Sequence, residues 1–175
     1  MRILFFVCCC MAAAFCGNKQ ESDSNTPNAQ KGFATLFGFD TSYSIAANHQ
    51  PYILTGYFND DQVPDTAVIL KEKAGLNEVL LIKHGNTDQV FLLRNGKALG
   101  QEFNNFNWVG QFQLIPKGTK IWNNVVDGDL VGEEEVPENK KITLTTDGIL
   151  IHQAEACGGG IIYFKDGKYQ WVQQD

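Results

Sequence analysis

The stretch Ile161-Ile162-Tyr163-Phe164-Lys165-Asp166-Gly167-Lys168-Tyr169-Gln170-Trp171 decides the fold class of this chain. Asp166-Gly167 is a residue pair that tolerates positive φ at both positions, as a two-residue type I′ turn demands, and such a turn matches the right-handed twist of paired strands. A turn there places Lys165 opposite Lys168, Phe164 opposite Tyr169 and Ile162 opposite Trp171. Because side chains alternate across a strand, Ile162, Phe164, Tyr169 and Trp171 share one face, while Tyr163 and Gln170 take the other. The segment reads as a hairpin with an aromatic face to bury.

Moving toward the amino terminus, Asp147-Gly148 offers a second pair of the same kind. The same logic predicts a hairpin that puts Ile142, Leu144, Ile149 and Ile151 together and sets His152 opposite Thr143. Three apolar runs lie further upstream: Ala67 to Leu70, Val79 to Ile82 and Val90 to Leu93. Each is apolar at consecutive positions, so the strands they form should be covered on both faces and lie at the centre of an antiparallel meander. Gly, Asn, Asp and Lys fill the connections between them, and Asn95-Gly96 ends the third run. From Trp108 to Ile115 the pattern alternates, with Trp108, Phe112 and Leu114 on one side and Gln111 and Gln113 on the other. Asp127 to Lys140, with Gly128, Gly132, Glu133, Glu134, Glu135 and Pro137, reads as a charged surface loop. The sum is an all-β or β-dominated α+β fold, an antiparallel meander or sandwich closed by C-terminal hairpins, with room for short helical pieces before Pro51 or within Gln101 to Asn107.

One loop carries a recognisable motif. Gly56-Tyr57-Phe58-Asn59-Asp60-Asp61-Gln62-Val63-Pro64-Asp65 runs directly into the apolar strand Thr66 to Leu70. It resembles the calcium loop of FG-GAP and VCBS-type repeats, D-x-N-x-D-G-x-x-D followed by an apolar strand. The resemblance implies that Asn59, Asp61 and Asp65 offer side-chain oxygens and Val63 its carbonyl to Ca²⁺, a hard cation that takes six or more oxygens. Tyr57 replaces the first Asp of the pattern, and Asp60 and Gln62 replace its glycines. The loop is thus either a calcium site or one that keeps the ancestral shape without the ion. Over residues 52–175 the pattern is also similar to that of small exported bacterial proteins, a resemblance that implies no activity.

Other candidates lack the spacing chemistry needs. Cys157 precedes Gly158, Gly159 and Gly160, and His152 lies five residues earlier, but a nucleophile needs a base in reach and a lowered thiol pKa. A small buried thiol at a strand entrance is the plainer reading. His49, His84 and His152 are scattered without metal-ligand spacing and read as surface or turn residues. Trp108, Trp122 and Trp171 could stack on sugars, with Trp122 the one expected to be exposed. The adjacent Glu133, Glu134 and Glu135 point away from one another in an extended chain and make a poor acid and base pair.

The first residues specify an address. Arg2 is followed by an unbroken apolar run from Ile3 to Phe15, then Cys16 and Gly17. The run is too short for a stable membrane span. It resembles a bacterial lipoprotein signal, in which Ala13 and Ala14 suit the box before the cysteine. The resemblance implies removal of residues 1–15, a diacylglyceryl group on Cys16 and acylation of its new amino terminus. Ordinary secretion with cleavage near Ala14 is the alternative. Residues 16–31 are almost wholly polar, a composition that cannot repay the entropy of ordering, so they read as a flexible tether. Residues 32–175 then form a single β-rich domain. By analogy with enterobacterial lipoproteins, Gly17 rather than Asp after the cysteine implies the outer membrane of the cell envelope.

Composition bounds the rest. The formal charge of -6 becomes -7 once Arg2 leaves, and no basic cluster suggests nucleic acid as a partner. Of the 5 Cys, only Cys157 stays in the folded domain, so it holds no intramolecular disulfide. These readings converge on a non-enzymatic, lipid-anchored envelope protein with a binding or envelope-maintenance role, which touches the membrane through its anchor and has an envelope protein or glycan as its partner. A periplasmic inhibitor or immunity-type protein against a toxin or wall hydrolase is the alternative. A glycan-cleaving enzyme would need a convergent acid and base set.

Overall fold

The computed structural model describes residues 42–87, 89–155 and 157–174. The leader, Cys16 and the tether lie outside the described residues, as does the start of the expected domain. The described chain is β-dominated, with thirteen strands, all paired antiparallel, and three short 3-10 turns.

The apolar runs build the first sheet. It comprises β1 (Tyr43–Ile45), β2 (Ile53–Gly56), β3 (Asp65–Glu72), β4 (Glu78–Lys83) and β5 (Val90–Leu93), ordered β1-β3-β4-β5 with β2 also on β3. β1 and β2 lie end to end along one edge of β3, opposite residues 70–72 and 65–68. At the seam the Ile69 N–H donates to the Tyr52 carbonyl, and the Ile69 carbonyl accepts from the Ala46 N–H, both at 3.0 Å. Both faces of β3 and β4 are covered as expected: Ala67, Ile69, Leu80 and Ile82 are buried on one, Val68, Leu70, Val79 and Leu81 on the other. β5 departs from that expectation. It is an edge strand, with Val90 exposed and Phe91 and Leu92 half-buried.

The second sheet contains β6 (Gln111–Ile115), β11 (Gly148–His152), β12 (Gly159–Lys165) and β13 (Lys168–Gln173), ordered β13-β12-β11-β6. The β12–β13 hairpin has the expected register: Lys165 with Lys168, Phe164 with Tyr169, Ile162 with Trp171. Asp166 and Gly167 have φ of 51° and 79°, both positive as the turn type requires. Ile149, Ile151, Ile162, Tyr169 and Phe112 pack with the inner face of the first sheet in one core. Each fully buried Ile or Leu there contributes roughly 2 kcal/mol relative to exposure.

The second expected hairpin does not form. β7 (Lys120–Ile121) pairs with β10 (Ile142–Thr143), whereas β11 pairs with β6 and β12. His152 therefore lies opposite Gln111 and Gly159, not Thr143. Leu144 and Ile142 pack with Ile121, Ile161, Tyr163 and Val172 on the outer face of the second sheet, apart from Ile149 and Ile151. The reason is that Asp147 is engaged outside the pair, as described below.

The intervals between sheets differ from expectation too. The alternating strand is shorter than read, since β6 begins at Gln111; Trp108 sits in the preceding turn, and Leu114 is partly exposed. No helix occupies residues 101–107 or 46–50; the 3-10 turn lies earlier, at Gly96–Leu99, capped by Asn95 Oδ1 accepting from the Lys97 N–H at 3.1 Å. Within 127–140 the charged loop closes a small hairpin of β8 (Val125–Val126) and β9 (Asp129–Leu130), then forms 3-10 turns at Glu133–Glu135 and Glu138–Lys140.

Candidate functional site

The motif loop joins β2 to β3 and is held by its own oxygens. The Asn59 Oδ1 accepts from the Asp61 N–H at 3.0 Å, Asp61 Oδ1 accepts from the Val63 N–H at 2.8 Å, and the Asn59 amide donates to Asp61 Oδ2 at 3.0 Å. Such Asx turns close a loop locally. Gln62 has φ of 60°, the left-handed conformation that the resemblance assigns to a glycine. Asp65, fully buried, accepts three backbone N–H groups: Phe58 (2.7 Å) and Asn59 (3.1 Å) on Oδ2, Gly85 (2.8 Å) on Oδ1. The Asn59, Asp61 and Asp65 side chains engage the loop's own donors and the neighbouring β4–β5 connection. Tyr57 brings an exposed phenol where the pattern has its first carboxylate. Among the described residues no group of three His, Cys, Asp or Glu side chains is placed to hold a metal ion.

Asp147 ties this loop to the second sheet. Its Oδ2 accepts from the Tyr57 N–H at 2.9 Å, its Oδ1 from the Lys117 N–H at 2.8 Å, and its own N–H donates to the Tyr57 carbonyl at 2.8 Å. A polar cleft of about 360 Å³ opens here, lined by Tyr57, Asn59, Gln62, Lys117 and Thr145 among others.

A second recess lies where the 101–110 segment meets the second sheet. Phe103 sits between two indoles, its ring 5.4 Å from Trp108 and 5.9 Å from Trp171, and stands edge-on to Phe106 at 5.2 Å. Backbone bonds hold this segment to both sheets: the Phe106 N–H donates to the Glu78 carbonyl (2.9 Å), the Glu78 N–H to Asn107 Oδ1 (2.8 Å), and the Gly110 N–H to the His152 carbonyl (2.8 Å). Gly110 permits that approach, since a Cβ there would stand 2.5 Å from Ala154. Glu78 is fixed in turn by His49 Nε2 at 2.6 Å and by the Asn48 amide at 3.2 Å. The Trp171 indole lies against Gly160, where a Cβ would come within 2.2 Å of its ring, and its N–H donates to Gln173 Oε1 at 3.0 Å. The recess encloses about 210 Å³, with side chains of Gln101, Gln153 and Gln173 around the aromatic rings.

Several single residues lie elsewhere than expected. His49 and His84, read as surface or turn residues, are buried at 6% and 2% exposure. His84 Nε2 is 2.9 Å from the Tyr169 hydroxyl within a cluster of Phe91 and Phe164 rings. Burial, with the Asp65 carboxylate nearby, pushes the Tyr169 phenol well above its ordinary value of 10.0. Their aromatic and carboxylate partners come from distant positions, so spacing along the chain carried no signal. Cys157 is exposed rather than buried. Trp122 is only partly exposed, and its indole nitrogen is enclosed. Glu133, Glu134 and Glu135 are exposed; Glu135 Oε2 accepts from the Gly132 N–H (2.8 Å), and Glu133 lies 3.5 Å from Lys141. Lys141 and Lys120 also reach Glu138, whose carboxyl is held below its ordinary range by hydrogen bonds from Lys120 and then Lys141. No family model, curated protein or solved structure matches the chain.

Proposed function

We propose that the chain is a lipid-anchored bacterial cell-envelope protein whose folded part is a non-enzymatic binding module, attached to the outer membrane through Cys16. One observation carries the address: an apolar leader with a single basic residue, ending at Ala13, Ala14 and Cys16 and followed by an almost wholly polar tether. Two or more acyl chains on Cys16 would hold the protein on a bilayer far more firmly than one. The binding role is supported by two recesses, one beside Asp147 and one beside Trp171, whose surrounding backbone is tied by hydrogen bonds. Against catalysis stands the deployment of carboxylates: Asp65 and Asp147 are engaged by backbone N–H groups, Glu133 and Glu138 by lysines, and Glu135 by a backbone N–H. The acidic charge and lack of a basic patch argue against nucleic acid as a partner.

The decisive experiment is Cys16→Ser with metabolic acyl labelling. Loss of label and accumulation of a precursor are expected; unchanged labelling would overturn the assignment. A second reading, inhibition of a toxin or wall hydrolase, draws on the β8–β9 hairpin, where Val126 and Leu130 are 46% and 62% exposed. Exposed apolar side chains on a small hairpin suit insertion into another protein's cleft. Changing both residues to Ser would then abolish inhibition while leaving the melting temperature unaltered.

A further inference from the structure

We propose that the recess between Phe103, Trp108 and Trp171 binds an uncharged sugar, one pyranose ring at a time along a glycan. The proposal names the ligand class of the binding-module reading and rests on it, but is independent of the lipid anchor.

The chemistry of the lining selects the ligand. Among the described residues that line the recess, none is charged. A carboxylated or phosphorylated ligand would be desolvated there without a counter-charge, which is costly. Three aromatic side chains supply flat, electron-rich surfaces against which the C–H faces of a sugar ring pack. Around them Gln101 and Gln153 supply primary amides, each carrying both donors and an acceptor, while the Gln173 side-chain oxygen holds the Trp171 N–H. Hydroxyls that donate and accept in turn are the natural complement of such groups. A recess of about 210 Å³ suits a single ring, not an extended ligand buried along its length.

The site is also held in shape before any ligand arrives. The Trp171 ring is fixed from below by Gly160 and along its edge by Gln173. Trp108 is placed by a segment whose backbone is bonded to Glu78 on one side and to His152 on the other. Gln153 is anchored by its N–H to the Gly158 carbonyl at 3.0 Å, across a turn in which Gly158 has φ of 130°, a value side-chain-bearing residues rarely adopt. Preorganisation of this kind lowers the ordering cost of binding. A shallow single-ring site should still be weak, with a dissociation constant in the millimolar to high micromolar range.

The test is titration of the full-length protein, in a detergent without a sugar headgroup, with cellohexaose and chitohexaose, followed by tryptophan fluorescence and calorimetry. Saturable binding of at least one is expected. Trp171→Ala should weaken it by at least about tenfold and Gln153→Ala by about fivefold. Gln153→Ala should keep the wild-type melting temperature, so a loss there cannot be ascribed to unfolding. Trp122→Phe, outside the recess, should bind as wild type. Absence of saturable binding to either sugar, binding unaffected by Gln153→Ala, or tighter binding of a sulfated oligosaccharide or a proline-rich peptide at the same residues would overturn the proposal. Any of these results leaves the acyl-labelling result on Cys16 standing, so the two readings fail separately.

Discussion

At the scale of single residues, Asp65 is the polar centre of the first sheet. Its buried carboxylate accepts three N–H donors on its two oxygens, and these hydrogen bonds offset the cost of burying it. Asp65→Ala would leave those donors of Phe58, Asn59 and Gly85 without an acceptor, at a cost of roughly 3 kcal/mol or more, readable as a lowered urea midpoint. With its oxygens so engaged, millimolar Ca²⁺ should move the melting temperature by less than about 1 °C; a dose-dependent rise would show native-state binding and return the calcium reading. Tyr169 gives a pH signature. The unfolded phenol ionises near pH 10 while the buried one stays protonated, so above that pH the folded state holds more protons than the unfolded. Stability is therefore complete below about pH 10 and falls as pH rises beyond it. Tyr169→Phe should remove that alkaline loss, measured by urea titration at pH 9 and pH 11, while costing about 1–2 kcal/mol at neutral pH through the unpaired His84 nitrogen. Asn59, Asp61 and Asp65 were legible from sequence as oxygen donors in a turning loop. The third donor to Asp65 was not legible, because the Gly85 N–H comes from twenty residues away.

At the scale of elements, two pairs of identical composition behave differently for a physical reason. Asp166-Gly167 has no competing partner among the described residues and makes the local turn its residues favour. Asp147 is used by Tyr57 and Lys117, from another loop and another strand end, and its neighbour Gly148 enters β11. Local propensity is overridden when long-range bonds satisfy more polar groups than the turn would. The meander was readable because consecutive apolar residues leave a strand no wet face; the weak member, β5, carries Val90 at its exposed end. The 101–110 segment has no period, so nothing in its sequence indicated that Phe103 would lie between Trp108 and Trp171. Gly160 leaves room for the Trp171 ring. Gly160→Ala should cost about 1–3 kcal/mol by overpacking and redshift the tryptophan emission as the indole is displaced, whereas Gly118→Ala, with open space around it and a φ of 87°, should cost only its backbone strain and leave the emission unchanged.

At the scale of the whole molecule, the two sheets share one core, and the β7–β10 ribbon packs on the outer face of the second. The described body closes with one cysteine, Cys157, and so without a disulfide of its own; the other cysteines are Cys8, Cys9, Cys10 and Cys16. That distribution has a practical outcome. Under the proposed removal of residues 1–15 and acylation of Cys16, Cys157 is the sole remaining thiol, solvent-facing and one position before Gly158 on the rim of the recess. An alkylating fluorophore should couple there stoichiometrically without denaturant. Its emission would then serve as a reporter of carbohydrate residence on intact cells, dimming or brightening in step with occupancy and silent in the Trp171→Ala variant.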